Sequence, residues 1–227
     1  MANILIINSA LETASVILSS DGEIVAELQN DSQKDHASFL EPAIQQVCNT
    51  SHTSLQNMDA FAVVNGPGSY TGLRVGLSSA KALCYALQKP LILLNTLDVM
   101  AHALKSQAPV KEDNIIFCPL IDARRMEVYT ALYDMNLNIV RSYNAMIIDE
   151  FFLKEESKTH LIIAGGSGSI KLKKTLNNYN ILCVDMLTLS KPAVVLSAYA
   201  FNKRDFADVG YSEPFYLKPV YFKNDKP

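Results

Sequence analysis

Residues 59–76 read DAFAVVNGPGSYTGLRVG, and this stretch decides the fold. Asp59 to Val64 is an apolar run of strand length, and Asn65-Gly66-Pro67-Gly68 breaks it. Gly72 to Leu87 then carries helical periodicity. A strand that enters a helix through a glycine-rich loop is a building unit of α/β folds. Gly66, Gly68 and Gly72 let the backbone turn tightly and leave amide N–H groups at a helix start, a place that suits an anion. The spacing is not GxxxxGK[ST], since Leu73 and Arg74 stand where Lys and Ser/Thr belong, and it is not GxGxxG. From the residues alone, two readings of Gly66, Pro67, Gly68, Ser69 and Thr71 stay open: a loop held for packing and a phosphate-binding loop.

Upstream, Ile4 to Ile7, Ser15 to Leu18 and Ile24 to Leu28 read as three strands, the last two joined through Asp21-Gly22. His36 to Cys48 places Leu40, Ile44 and Val47 at i, i+4, i+7, an amphipathic helix that carries Pro42 near its start. Leu91 to Leu94 is a further strand. The same order begins again after Pro109, with strands at Ile115–Ile121, Glu127–Tyr133 and Leu137–Tyr143. His160 to Ala164 runs into Gly165-Gly166-Ser167-Gly168, as Ala62 to Asn65 runs into Gly66-Pro67-Gly68. The pattern predicts an internal duplication into two α/β lobes, 1–106 and 107–227, with the polar stretch Lys105 to Asn114 between them and the last helix or tail free to pack back on the first lobe.

The chain has 227 residues, enough for a substantial core, and a net charge of −3. That balance disfavours a protein whose main task is gripping nucleic-acid phosphates. Hydrophobic residues make up 49% and charged residues only 19%, which leaves apolar surface for a partner. Cys48, Cys84, Cys118 and Cys183 lie in separate apolar segments without a CxxC pair, so four buried free thiols are expected. MANILIINSA lacks a basic start and a long apolar run, and no stretch of 18 uncharged apolar residues occurs. A cytoplasmic protein with no membrane span is expected.

The helix after the glycine loop has Gly72, Gly76 and Ala80 every four residues, with Ser79 beside them and Leu73, Leu77, Leu83 and Leu87 assigned in part to the opposite face. Such a stripe lets another backbone approach closely, inside the domain or on a partner. Asn8 ends the first strand, where actin-like and sugar-kinase-like folds carry a metal-holding Asp. Asp122 and Arg124 occupy the matching turn of the second half, where such a pair more often caps the turn and pairs locally than binds a carboxylate or phosphate; with Asn8 they mark a candidate vestigial nucleotide cleft. The histidines at 36, 52, 102 and 160 show no HxxxH or HExxH spacing, and no GxSxG occurs, so neither a metal site nor a catalytic residue is expected.

Asn65 to Gly76, followed by Ala80-Lys81-Ala82-Leu83, resembles the signature of the bacterial TsaB (YeaZ) family of tRNA threonylcarbamoyladenosine biosynthesis proteins. The opening strand, His36 with Leu40 and Pro42, Asp122 to Tyr129 and Glu213 to Pro219 carry the resemblance across the chain, while Asn8 and Met126 depart from the family pattern. The resemblance implies an actin/Hsp70-like (ASKHA) fold of two ribonuclease-H-like halves. It also implies a noncatalytic relative of the TsaD-type transferase, which binds and activates that transferase, helps recruit a TsaE-type ATPase, and forms a homodimer when alone. It implies no cofactor in the isolated chain, leaves the assembled interface as the place for a nucleotide, and has tRNA contacted mainly through the partner. His36, Leu40, Ile44, Gly72, Arg74, Gly76 and Ala80 become the candidate partner-binding residues. An active phosphotransferase using Mg²⁺–nucleotide at Asn8 and Asp122 and a peptidase are the weaker alternatives.

Overall fold

The computed structural model describes residues 2–32, 35–109, 114–175, 180–185 and 188–218. The first half forms β1 (Asn3–Asn8), β2 (Ala14–Ser20), β3 (Glu23–Asn30), α1 (His36–Thr50), β4 (Ala60–Val64), α2 (Tyr70–Leu87), β5 (Leu91–Leu94) and α3 (Thr96–Gln107). The second half forms β6 (Ile115–Asp122), β7 (Glu127–Tyr133), β8 (Ile139–Ile147), the single turn α4 (Glu156–Thr159), β9 (Leu161–Gly165), α5 (Ser169–Thr175), β10 (Ile181–Val184) and α6 (Ser190–Lys203). The first sheet has the order β3-β2-β1-β4-β5 and the second β8-β7-β6-β9-β10. In each, the first three strands of the half are antiparallel neighbours and the last two are added in parallel. The halves therefore repeat one topology, the duplicated ribonuclease-H-like plan of the ASKHA fold. The repeat extends to the loops, since Gly66 after β4 and Gly166 after β9 both sit at left-handed φ, +118° and +107°.

Strand alternation sets the layers. Leu5, Ile7, Phe61 and Val63 face one side of the first sheet, where Leu40, Ala43, Ile44 and Val47 of α1 and Leu77, Ala80 and Cys84 of α2 cover them. Ile4, Ile6, Ala60, Ala62 and Val64 face the other side, covered by Ala193 and Val194 of α6. Likewise Ile115, Phe117, Ile121 and Ile163 of the second sheet are covered by Leu97, Met100, Ala101 and Leu104 of α3. The helices are thus exchanged: α3, coded in the first half, packs on the second sheet, while α6, coded in the second, packs on the first. Asp98 of α3 fixes this arrangement, accepting hydrogen bonds from Tyr133 Oη at 2.6 Å and Tyr143 Oη at 3.0 Å. Burial, reinforced by the Asp98 carboxylate, pushes both phenols well above the ordinary tyrosine range. After α6 the chain runs back along β5, where Ala207 N donates to Leu91 O at 2.8 Å, and reaches the second lobe, where Leu217 packs and Lys218 pairs with Glu127.

Several boundaries differ from the sequence reading. Helix α2 starts two residues early, at Tyr70, because Ser69 caps it, its Oγ accepting from Gly72 N at 3.3 Å. Strand β8 is displaced to 139–147, and part of the expected linker is helix, since α3 runs to Gln107. Within that linker, residues 110–113 lie outside the described residues. Pro42 sits in the second turn of α1 on the exposed side, where water can serve the freed carbonyl of Ser38.

The small-residue stripe is an internal seat. Gly72, Gly76 and Ala80 are buried against their own sheet, in the company of Leu73 and Leu77, which had been placed on the opposite face. A Cβ on Gly72 would collide with the carbonyl oxygen of Ser9, and one on Gly76 with the hydroxyl of Ser9. Gly76→Leu should therefore lower folding stability by about 2–3 kcal/mol or prevent folding, as measured by urea unfolding, rather than act on a surface.

The thiols divide. Cys84 and Cys118 are buried, while Cys48 and Cys183 are only half-buried. Burial raises the Cys118 thiol to about 12 and the Cys84 thiol to about 11. Alkylation of the native protein at pH 8, followed by mass spectrometry, should leave Cys84 and Cys118 the slowest to react.

Candidate functional site

The glycine-rich loop is filled by the chain itself. A Cβ on Gly68 would strike the carbonyl of Ala10, and one on Gly66 the carbonyl of Phe215. The Ala10 carbonyl accepts the Ser69 amide at 2.7 Å, and the Gly72 amide is taken by the Ser69 cap. An oxygen with a negative partial charge thus stands where a phosphate would have to enter, so Gly66, Pro67, Gly68 and Ser69 form a packing loop, with Thr71 exposed at its edge. Sequence reasoning missed what covers this loop from outside. Asn65 Nδ2 donates to Glu213 O at 2.9 Å and Phe215 N to Asn65 O at 2.8 Å, while Tyr216 stacks near Tyr70 with centroids 5.3 Å apart. Phe215 also meets Tyr143 of the second sheet edge-on at 5.7 Å. The Glu213 to Tyr216 stretch was visible only as part of a resemblance, because local periodicity carries no information about a partner 148 residues away.

Of the seven candidate partner-binding residues, only Arg74 reaches the surface. Leu40 and Ile44 belong to the core, and His36 is buried with Nε2 donating to the Glu12 carbonyl at 3.0 Å, which holds the β1–β2 turn against α1. The outward face of the α1–α2 layer is made instead of Glu41 and Gln45 on α1 and Arg74, Ser78, Ala82 and Tyr85 on α2. Ser79 Oγ donates to Glu41 Oε1 at 2.8 Å and ties the two helices together. Ser78 and Ala82 are four apart, so a second small-residue stripe does face solvent, on the opposite side of α2 from the predicted one, with Tyr85 82% exposed at its end.

Between the lobes lies a cleft of about 550 Å³. Asn8 lines its floor, 97% buried as its 3% exposure shows, with Oδ1 accepting from Ala10 N at 3.2 Å. Asp122 and Arg124, the expected companions of Asn8, are not among the lining residues. They shape the β6–β7 turn: Arg124 and Arg125 are both left-handed, and Asp122 Oδ1 accepts from Arg124 N and from Lys171 Nζ, each at 2.6 Å. Burial would raise the Asp122 carboxyl, but the Lys171 and Arg124 donors outweigh it and hold it below the usual value. Among the described lining residues the donor set does not fit a nucleotide: Glu12, Asp31 and Asp185 line the cleft with no Lys or Arg, and Lys171 is turned to Asp122 and the Glu127 carbonyl. No group of three or more His, Cys, Asp or Glu side chains among the described residues is placed to hold a metal ion, and no described helix is long and apolar enough to cross a membrane.

Comparison with known proteins gives the family. A profile described as TsaD, tRNA N6-adenosine threonylcarbamoyltransferase, matches residues 23–212. The chain belongs to the TsaD family. Within this family it is similar to the tRNA threonylcarbamoyladenosine biosynthesis protein TsaB of Bacillus subtilis (strain 168), 26% identical over 222 residues, which are 95% of this chain and 93% of that protein. The TsaB of Escherichia coli (strain K12) is 36% identical over 135 residues, 60% of this chain and 56% of that one. A Pseudomonas aeruginosa crystal structure, described as an uncharacterized protein with similarity to peptidase YEAZ, superposes with a TM-score of 0.83 at 20% identity, covering 96% of this chain and all of the other. The resemblance to TsaB and YeaZ and the two-lobed fold it implied are borne out. In this TsaD-family chain the link between Asn65 and the C-terminal stretch is a structural bond. Asn65→Ala should cost about 1 kcal/mol and lower the melting temperature by roughly 2–4 °C in calorimetry.

Proposed function

We propose that the chain is a noncatalytic subunit in threonylcarbamoylation of adenosine next to the anticodon of tRNA. It acts by binding and activating a TsaD-type transferase, and it helps to recruit a TsaE-type ATPase. The observation that carries this reading is the match to a TsaB protein over 93% of that relative's length. Two features of the site support it. The glycine-rich loop is filled by the Ala10 carbonyl, and the described lining of the interlobe cleft carries carboxylates and no Lys or Arg, so neither offers a phosphoryl group a seat. With a net charge of −3, the tRNA is left mainly to the transferase. A soluble partner of this kind works in the cytoplasm.

The docking surface is the outward α1–α2 face. Ser78 and Ala82 let a partner helix approach closely, while Arg74 and Tyr85 are residue types that dominate binding energy at interface centres. The partner shares this fold family, so a similar helix pair can meet it about a pseudo-twofold axis, and a second copy of the chain can do the same when the transferase is absent. A specific complex of this kind buries about 1,600 Å² in total, and any nucleotide of the assembly belongs at that interface rather than in this chain's cleft.

Ala82→Glu combined with Tyr85→Ala changes only exposed side chains. The double variant should keep its melting temperature, bind the TsaD-type transferase at least tenfold more weakly in calorimetry, and fail to restore threonylcarbamoyladenosine in bulk tRNA of depleted cells. Normal assembly by the folded variant would rule out this face. Unchanged threonylcarbamoyladenosine after depletion of the protein would rule out the function.

A further inference from the structure

The β6–β7 turn holds two successive residues, Arg124 and Arg125, at left-handed φ of +70° and +50°. Residues with a full side chain enter this region reluctantly. At the β2–β3 turn the same pairing is taken by Asp21-Gly22, residue types that adopt it readily. The arginines are thus kept in a conformation that their backbone preference opposes. Such strain persists only where the surroundings over-determine it, and it clusters at sites that hold a ligand. Here the ties are many. Asp122 Oδ1 accepts from Arg124 N at 2.6 Å, Ala123 N donates to Glu127 O and Glu127 N to Arg124 O, both at 3.1 Å, and Ile148 N donates to Met126 O at 2.8 Å. Lys171 adds bonds to Asp122 and to the Glu127 carbonyl.

The side chains held in this way are not used inside the protein. Both arginines are exposed, and neither guanidinium has a hydrogen bond, an ion pair or a ring contact among the described residues. The carboxylates of the turn are already paired, Asp122 with Lys171 and Glu127 with Lys218. Asp149, which follows Ile148, accepts from the Phe151 amide at 2.9 Å, and Glu150 is itself partnered. The turn and its two lysines therefore carry a positive excess, on a chain whose net charge is −3.

A guanidinium presents its donors as a planar fork that fits the oxygens of a phosphate. Neither arginine lines the interlobe cleft, so the pair stands on an open tip. Small-molecule sites are concave, whereas an open tip suits a phosphodiester chain that passes over it. Contacts of this kind, from Arg to phosphate, fix the position of a protein on a nucleic acid.

We propose that the Arg124–Arg125 tip contacts the sugar-phosphate backbone of the tRNA. This rests on the subunit role proposed above: the transferase supplies the main grip, and the tip adds phosphate contacts that position the bound tRNA.

Titration of tRNA with the assembled complex of the full chain and the TsaD-type transferase, between about 0.05 and 0.2 M salt, tests this. Arg124→Asn/Arg125→Gly installs residue types that tolerate left-handed φ, so the melting temperature should equal or exceed the parent's. Its tRNA affinity should fall at least fivefold at about 0.1 M salt, and the slope of log affinity against log salt should shrink by about 1–2. Arg124→Lys/Arg125→Lys keeps the charge and should restore most of that slope. Affinity for the transferase should not change in either variant. The proposal is overturned if the first double variant binds tRNA with the parent's affinity and salt slope, or if its melting temperature falls, which would give the arginines to the fold. It is also overturned if that variant loses affinity for the transferase while tRNA binding stays intact. Should the parent chain not assemble with the transferase, the subunit role fails by itself. The tip is then judged on the full chain alone, where the parent must retain more tRNA than the first double variant at about 0.05 M salt.

Discussion

Helix α2 and the loop before it meet the turn after β1 at very close range, backbone against backbone at Gly68 and Gly72 and with only the small Ser9 side chain against Gly76 on that turn. Gly68, Gly72 and Gly76 lie against Ala10 and Ser9, and Ser9 Oγ donates to the Gly72 carbonyl at 2.8 Å. Any Cβ at these three positions would push the helix off the sheet, and Ala80, the next residue on the same line, is still fully buried. This single approach sets three other features. It turns Arg74, Ser78, Ala82 and Tyr85 outward as one face. It brings the Ala10 carbonyl into the glycine loop. It also fixes the β1–β2 turn, which His36 holds from α1, so that Asn8 and Glu12 border the interlobe cleft.

The two lobes are joined by exchange rather than by a hinge alone. Each sheet has one face covered by a helix coded in the other half, so neither half can bury its core without the other. The C-terminal stretch adds a second tie. It follows β5, lays its backbone over Gly66, sets Phe215 against Tyr143 and reaches Glu127 through Lys218. Tyr143 in turn holds Asp98 of α3, so the glycine loop and both sheets are linked through a continuous chain of side chains. Relative motion of the lobes must disturb several of these links together.

Much of this was legible in the sequence because it is written in local periodicity. The alternation of Ile4 to Ile7 and Phe61 to Val64 marks strands covered on both sides, and Gly66 and Gly166 mark the two equivalent turns. The small stripe at Gly72, Gly76 and Ala80 was legible as a close approach, but its direction was not. A helix shows the same spacing whether the backbone it meets belongs to its own sheet or to a partner, and only the position of Ser9 in space decides between them. The outward stripe of Ser78 and Ala82 differs from the inward one by two residues, about half a turn, which composition alone does not resolve. The cleft was half legible: Asn8 signalled a lost carboxylate, but Glu12, Asp31 and Asp185 come from separate segments that only the fold gathers.

The filled glycine loop and the proposed docking face are physically connected. A helix N-terminus with free amides attracts phosphate, and a fold that binds nucleotides keeps its glycine loop open so that the ligand can reach those amides. Here Ala10 O occupies that place, satisfies the Ser69 amide internally and lets α2 settle onto β1. A helix start that no longer has to open for a ligand can be rigid, and rigidity lowers the entropic cost of presenting Arg74 and Tyr85 to a partner. The described lining of the cleft carries Glu12, Asp31 and Asp185, a set of charges that would repel polyphosphate. The main-chain oxygen that fills the glycine loop therefore also stiffens the surface on which the proposed docking rests.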